Sequence, residues 1–257
     1  MSRFKGQNRT IELSVVNIRR SNGSVYGQSY FLVGLGIYVL FVLLLLTIGP
    51  TPQSASRALS SEGSVGATSV KQYVLITLVP FLLPLMTVIS STGVTYFISI
   101  DRTNGVYEYL MGSLKVRIRD IYFSFIIADL SFIALTLAID VPVSLFVFYL
   151  VSGYIPSYFI SLILIYSIPT AFLSSLLGVL AILNWSAMSK MYPGINAPGG
   201  IGTIVGFVGP VAFLLFDTVK GGGLLDSALF TGIMGCIFLI VLYISVKGVS
   251  NEKMLAS

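Results

Sequence analysis

The chain has 257 residues, of which 10% are charged and 55% hydrophobic, and its mean hydropathy is +0.93. Soluble domains carry about 25% charged residues, so an ordinary soluble fold is excluded, and the length leaves no room for a soluble catalytic domain beside a membrane domain. The net charge of +5 is too small to point to nucleic acid; placed at membrane flanks, it is what retention of basic loops on the cytoplasmic side produces.

Residues 1–29 form a polar, basic lead, with Arg3, Lys5, Arg9, Arg19 and Arg20 against Glu12. Within it Ile11, Val15 and Ile18 recur at i, i+4 and i+7 behind Thr10 as a cap. That pattern fits a short helix lying on the cytoplasmic leaflet, with an unstructured tail as the alternative. The run 30–48 is almost pure Leu, Val, Ile and Phe, and as a helix it is ~28 Å long, enough for one crossing. Its polar lead is too long for a signal peptide. A Ser/Ala/Gly-rich external loop follows over 50–72. The second run, 73–100, contains Pro80 and Pro84, each of which frees a carbonyl and bends a helix, as a flexing point or as a fixed kink.

The third run, 121–150, contains Asp129, Asp140 and Pro142 and admits two topologies. A break at Asp140-Val141-Pro142 gives seven crossings; a single long, kinked helix gives six. Six leaves all of the 15 Lys and Arg inside except Arg57, Lys71 and Lys220, the stronger positive-inside bias, so six is preferred. Asp129 lies about a third of the way across and reads as a hydrogen-bonding partner between helices, as a lining of a transport path, or as an interfacial residue. Asp140 reads as an exposed helix-end residue near the outer surface. Runs 158–185, 199–219 and 228–246 complete the set, with a second cytoplasmic loop over 186–198. Gly202 and Gly206 have the spacing that lets helix backbones approach closely. Tyr30, Tyr73, Tyr122 and Tyr158, at run ends, read as interfacial belt residues.

Between the second and third runs lies a polar island, 101–120. Asn104 is a suitable helix N-cap, Glu108 suits the first turn of the helix that follows, and Val106, Tyr109, Leu110 and Leu114 share one face. Lys115, Arg117 and Arg119 then form a basic collar. The order Asp101-Arg102, Gly105-x-x-Glu108-x-Leu110, basic cluster and new apolar run resembles the first cytoplasmic loop of ABC-2-type transporter permeases. In that family the segment is a coupling helix seated in a cleft of an ATPase subunit. Leu114 stands where the family has proline, so the helix is expected to run on. The resemblance implies that Val106, Tyr109 and Leu110 form the docked face and that Glu108 orients the helix by pairing with Arg117 or Arg119.

Chemistry of the chain's own is sparse. No lysine is followed by Ser or Thr, so there is no Walker A loop, and there is no Ser/His/Asp set or His-Glu-x-x-His signature. Histidine is absent, and the single cysteine, Cys236, sits in an apolar run, which leaves no intramolecular disulfide and no cysteine-based metal site. The expectation is therefore an all-α membrane protein: a cytoplasmic segment 1–29, a six-helix domain 30–246 and a cytoplasmic tail 247–257. It would work in the cell membrane with both termini cytoplasmic and surrounding lipids as its solvent. By the resemblance it is an exporter permease that binds no cofactor or nucleic acid, pairs with a second permease copy or paralogue, and leaves ATP and Mg to a partner ATPase. The alternative is a self-sufficient carrier or channel with Asp129 as a proton or cation site; a third is a non-transporting scaffold.

Overall fold

A computed structural model describes residues 9–48, 67–184, 197–220 and 223–247, and among them no strand occurs. The expected loops over 50–72 and 186–198 and the tail beyond Lys247 lie largely or wholly outside the described residues. Helix suits an apolar chain where water cannot serve its backbone, because every interior N–H and C=O is then paired within its own segment.

The elements in order are α1 (Arg9–Gly23), α2 (Val25–Ile48), α3 (Ala67–Thr103), α4 (Val106–Gly112), α5 (Ile118–Ser152), α6 (Ser157–Leu162), a π-helical turn (Ile163–Ser167), α7 (Ile168–Asn184), α8 (Ala197–Lys220) and α9 (Leu224–Lys247). Four described stretches are long and apolar enough to cross a membrane: Leu75–Arg102, Ile118–Ser152, Ser157–Asn184 and Leu224–Lys247. Shorter apolar stretches, Gln28–Leu44 and Gly202–Phe216, run within α2 and α8. This is the build of a multi-pass, membrane-embedded protein.

Side-chain pairs fix the directions of the helices. Phe31 meets Phe132 at 6.4 Å between ring centroids, and Tyr38 is hydrogen-bonded to Ser144, so α2 and α5 run the same way. Tyr30 meets Tyr96, and Gly34 lies against Met86 and Ser90, so α3 runs opposite to α2. Asn184 at the end of α7 donates to Ser245 near the end of α9 (2.7 Å) and to the Tyr122 hydroxyl near the start of α5 (3.2 Å). Tyr122 is accordingly buried inside the bundle and is no belt residue.

Helix α5 passes unbroken through Asp140, Val141 and Pro142, which removes the seven-crossing reading of this stretch. Pro80 and Pro84 likewise lie inside a continuous α3. Pro84 has no N–H for the carbonyl four residues back, that of Pro80, and the Ser167 hydroxyl donates to that oxygen at 3.0 Å instead. A neighbouring helix thus repairs what the proline removes. Where α7 meets α8, Gly178 faces Gly202: a Cβ on Gly202 would stand 3.0 Å from the Gly178 carbonyl oxygen and 2.5 Å from Ile182. Both residues have to be glycine for the two backbones to come this close.

Among the described residues three apolar clusters fill the interior, the smallest of them around Tyr166, Phe213, Phe230 and Met234; the two larger ones divide the rest. One, around Ile98, Tyr107, Ile121, Phe125 and Leu183, lies beneath α4; the other, around Tyr38, Leu83, Ile133, Phe148 and Phe159, fills the opposite half. Replacing Gly178 with Val should force α7 from α8 and cost about 1–3 kcal/mol, as overpacking does. Gly232→Val on the open face of α9, where a Cβ meets nothing within 4 Å, is the control and should leave the detergent melting temperature unchanged.

Candidate functional site

The junction between α3 and α5, the two longest described helices, is held by opposite charges at its start. Asp101, with 3% of its side chain exposed, accepts both guanidinium nitrogens of Arg20, at 2.6 and 2.9 Å. The fork of Arg20 matches a carboxylate in two places at once, which fixes angle as well as distance. The hydrogen bond to Asp101 raises the Arg20 pKa above its ordinary value, outweighing the opposite effect of burial. The guanidinium also lies 5.5 Å from the centre of the Phe97 ring. The next residue, Arg102, is buried and turns toward α7, where Nη2 donates to the carbonyls of Ile182 (3.3 Å) and Leu183 (3.2 Å). Those carbonyls belong to the last turn of α7, the negative end of its dipole. One turn of α3 therefore clamps α1 with its acid and α7 with its base.

Helix α4 then starts from Gly105, at φ 67° and ψ 20°, rather than from Asn104, which lies in the turn before it. The reason is geometric: α3 continues to Thr103, so the chain has to reverse within two residues, and a left-handed residue without a Cβ does that at least cost. Glu108, third in the helix after the cap, folds back over that start, its Oε2 3.5 Å from where a Gly105 Cβ would be. Arg117 and Arg119, its expected partners, are exposed. The helix ends at Gly112 and does not run on through Leu114. Lys115 takes φ 50°, a left-handed conformation that helical propagation does not allow, and the Val116 N–H returns to the Leu110 carbonyl at 3.0 Å.

The side chain that seats α4 is Tyr107. It is fully buried, meets Phe125 edge-on at 6.2 Å, and donates its hydroxyl to the Ile98 carbonyl at 3.0 Å. Burial pushes the phenol pKa well above its ordinary value. Val106 and Leu110 are half-buried, whereas Tyr109 is 60% exposed on the outer side. The far end of the segment is tied to α1: Arg9 donates to the Lys115 carbonyl (3.0 Å), Thr10 to Asp120 (2.9 Å) and Asn17 to Ser124 (3.0 Å). The contributions of Tyr107 and Arg20 do not show in the face formed by Val106, Tyr109, Leu110 and Leu114. The available signals were a second aromatic beside Tyr109 and the stripe Thr10, Asn17, Arg20 at i, i+7 and i+10 on one face of α1.

The two interior carboxylates are placed differently. Asp129 is fully buried, and the Ser175 hydroxyl lies 3.0 and 3.2 Å from its two oxygens; Ser175 is itself paired with Ser91. Asp129 thereby joins α5, α7 and α3. Asp140 is not the exposed helix-end residue expected beside Pro142: it is fully buried. With α5 unbroken, the residue faces α2, beside Ser144, which donates to its backbone carbonyl and is paired with Tyr38. Among the described residues no group of three or more His, Cys, Asp or Glu is placed to hold a metal ion. No family model, no curated protein and no solved structure matches the chain.

Removing Arg20 strands a carboxylate that is almost fully buried, so Arg20→Ala should cost about 1–3 kcal/mol. Arg20→Ala with Asp101→Ala should cost less than the sum of the single changes, and a double-mutant cycle on thermal unfolding measures the difference. Tyr107 has a second readout. Its pKa is raised in the folded state, so its contribution is complete below the ordinary phenol pKa of about 10 and is lost as pH climbs beyond it. Spectroscopic titration should show late-ionising tyrosines appearing together with loss of structure, and Tyr107→Phe should lower their number by one.

Proposed function

We propose that this chain is the membrane-spanning subunit of an ATP-driven transporter of the ABC-2 permease kind, and that the segment 101–120 couples it to a separate ATPase subunit. The observation that carries this reading is the shape of that segment. A single seven-residue helix sits between two long apolar helices, anchored by its inner face and leaving Tyr109 outside. A surface loop with no mechanical duty needs neither a buried tyrosine nor a bidentate ion pair at its base. The reading includes six crossings, cytoplasmic termini, a second permease copy or paralogue beside this one, and export of an apolar or amphipathic substrate. ATP would draw the ATPase subunits together, α4 would move with them, and α3 and α5 would follow because α4 is continuous with both.

The second reading, a carrier that runs without an ATPase, draws on the burial of Asp129. The bonding of Asp129 weighs against it, because both oxygens face Ser175 and that hydroxyl is paired with Ser91. Such a group serves well as a fixed bridge between helices.

Isolation from native membranes separates the two. The permease reading expects an ATPase to co-purify and its yield to fall with Tyr109→Ala, at about 2 kcal/mol or thirty-fold in affinity, as for an aromatic anchor in a cleft. The melting temperature should not change, because Tyr109 is exposed. Proton flux through the purified chain in liposomes, abolished by Asp129→Asn, would overturn this reading in favour of the carrier.

A further inference from the structure

Two surface grooves of different chemistry adjoin at Val116. The first, about 580 Å³, is walled by Ile11, Val15 and Val16 of α1 on one side and by Leu110 and Leu114 on the other. The second, about 500 Å³, is lined by Lys115, Arg117 and Arg119. Each volume falls within the ~300–1,000 Å³ of sites that hold small molecules. The aliphatic wall is open: Ile11, Val15, Val16 and Leu114 are between 41% and 59% exposed. Glu12 is the one carboxylate lining either groove, and Arg9 lies one helical turn from it.

The orientation of α1 gives the grooves their meaning. Its polar stripe (Thr10, Asn17, Arg20) is spent on Asp120, Ser124 and Asp101, so its aliphatic face has to point away from the protein. Those anchor points are the last turn of α3 and the first turns of α5, the level at which the apolar runs begin. An amphipathic helix at that height lies at the boundary between headgroups and acyl chains. The rim is built rather than incidental. Arg9 holds the Lys115 carbonyl, and Lys115 keeps a left-handed backbone that side-chain-bearing residues rarely adopt.

We propose that the paired grooves bind one anionic glycerophospholipid, with an acyl chain along Ile11, Val15 and Leu114 and its phosphate against Lys115, Arg117 and Arg119. A zwitterionic lipid would fill the apolar groove equally well, but its choline would offset the attraction at the basic one. The proposal does not depend on the chain having an ATPase partner.

The test uses the full-length chain in phosphatidylcholine vesicles with a trace of phosphatidylglycerol bearing a diazirine in its acyl chain. Cross-linked peptides are read by mass spectrometry. Label from phosphatidylglycerol should be enriched on the peptides covering residues 11–16 and 110–116, compared with the same probe on phosphatidylcholine. Each of Lys115→Gln, Arg117→Gln and Arg119→Gln should lower that enrichment about five-fold, the effect of one basic side chain near a lipid surface. The pair Val15→Ser and Leu114→Ser should lower label from both probes. Equal labelling of wild type by the two probes overturns the proposal without any variant having to fold. So does enrichment that persists when all three basic residues are neutral. Complete displacement by millimolar glycerol phosphate also overturns it, and makes the site one for a soluble anion. Label on α9 with none in the grooves overturns it too, and leaves the surface to a protein partner.

Discussion

The structure depends on one buried carboxylate. Asp101 stands at the end of a long apolar helix with almost none of its side chain in solvent, and an ion so placed requires a partner with matching geometry. Arg20 supplies it from α1, and the rest of α1 follows. A helix pinned at Arg20 with Thr10 and Asn17 on the same side must turn its polar face inward and its aliphatic face outward, the reverse of a surface helix on a soluble protein. The same acid sets the neighbouring residue. Arg102, one position on, projects about 100° around the helix and reaches the end of α7. Two adjacent charges of opposite sign thus bring three helices to one level, and α4 begins where they meet.

Inside the bundle the same rule is met with hydroxyl groups. Along α3 the buried residues Thr87, Ser90, Ser91, Thr92 and Thr95 each donate to a carbonyl three or four positions back. Back-bonded hydroxyls cost little in an apolar surrounding and keep side chains small where helices cross. Some of them bond outward too. Thr92 pairs with Thr203 of α8 at 2.8 Å, and Ser91 pairs with the serine that serves Asp129. The seam gives the crossing helices a fixed register in a setting where apolar contact alone discriminates weakly, because lipid tails offer the same contact.

How far the sequence discloses this differs by residue. Apolar run length located the long helices to within a few positions, because a crossing helix is specified by composition over about twenty residues rather than by any one of them. Gly202 and Gly206 were legible for a similar reason: a glycine kept within an apolar helix marks a close approach. Asp140 reads as a helix end because a proline stands two residues after it, whereas in a bundle a neighbour can replace the lost backbone bond, as Ser167 does for Pro80. Side-chain capping favours Asn104 as the start of α4, while the reversal after Thr103 favours Gly105, and chain direction prevails. In the sequence Arg20 reads only as a positive-inside charge. Its role depends on a partner 81 positions away, and separation of that size leaves no periodic trace.

The anchoring of 101–120 also constrains how motion can pass through it. At its start the segment is fixed by a bidentate ion pair and by the end of α7; in the middle Tyr107 is fixed under α3 by Ile98 and against α5 by Phe125. Its far end holds α1 through Arg9 and Thr10. A push on the exposed side of α4 therefore meets no slack loop before it reaches α3, α5 or α1. Within such a unit the cheapest displacement is a rigid-body one, carried by the helices that share its contacts, because distorting it breaks buried polar bonds one at a time. A force applied at Tyr109 would move the ends of α3 and α5 together with α1, and α7 with them through Arg102. The hydroxyl seam and the glycine contact of α7 with α8 lie next along that path, and their fixed register would pass the displacement on to α8.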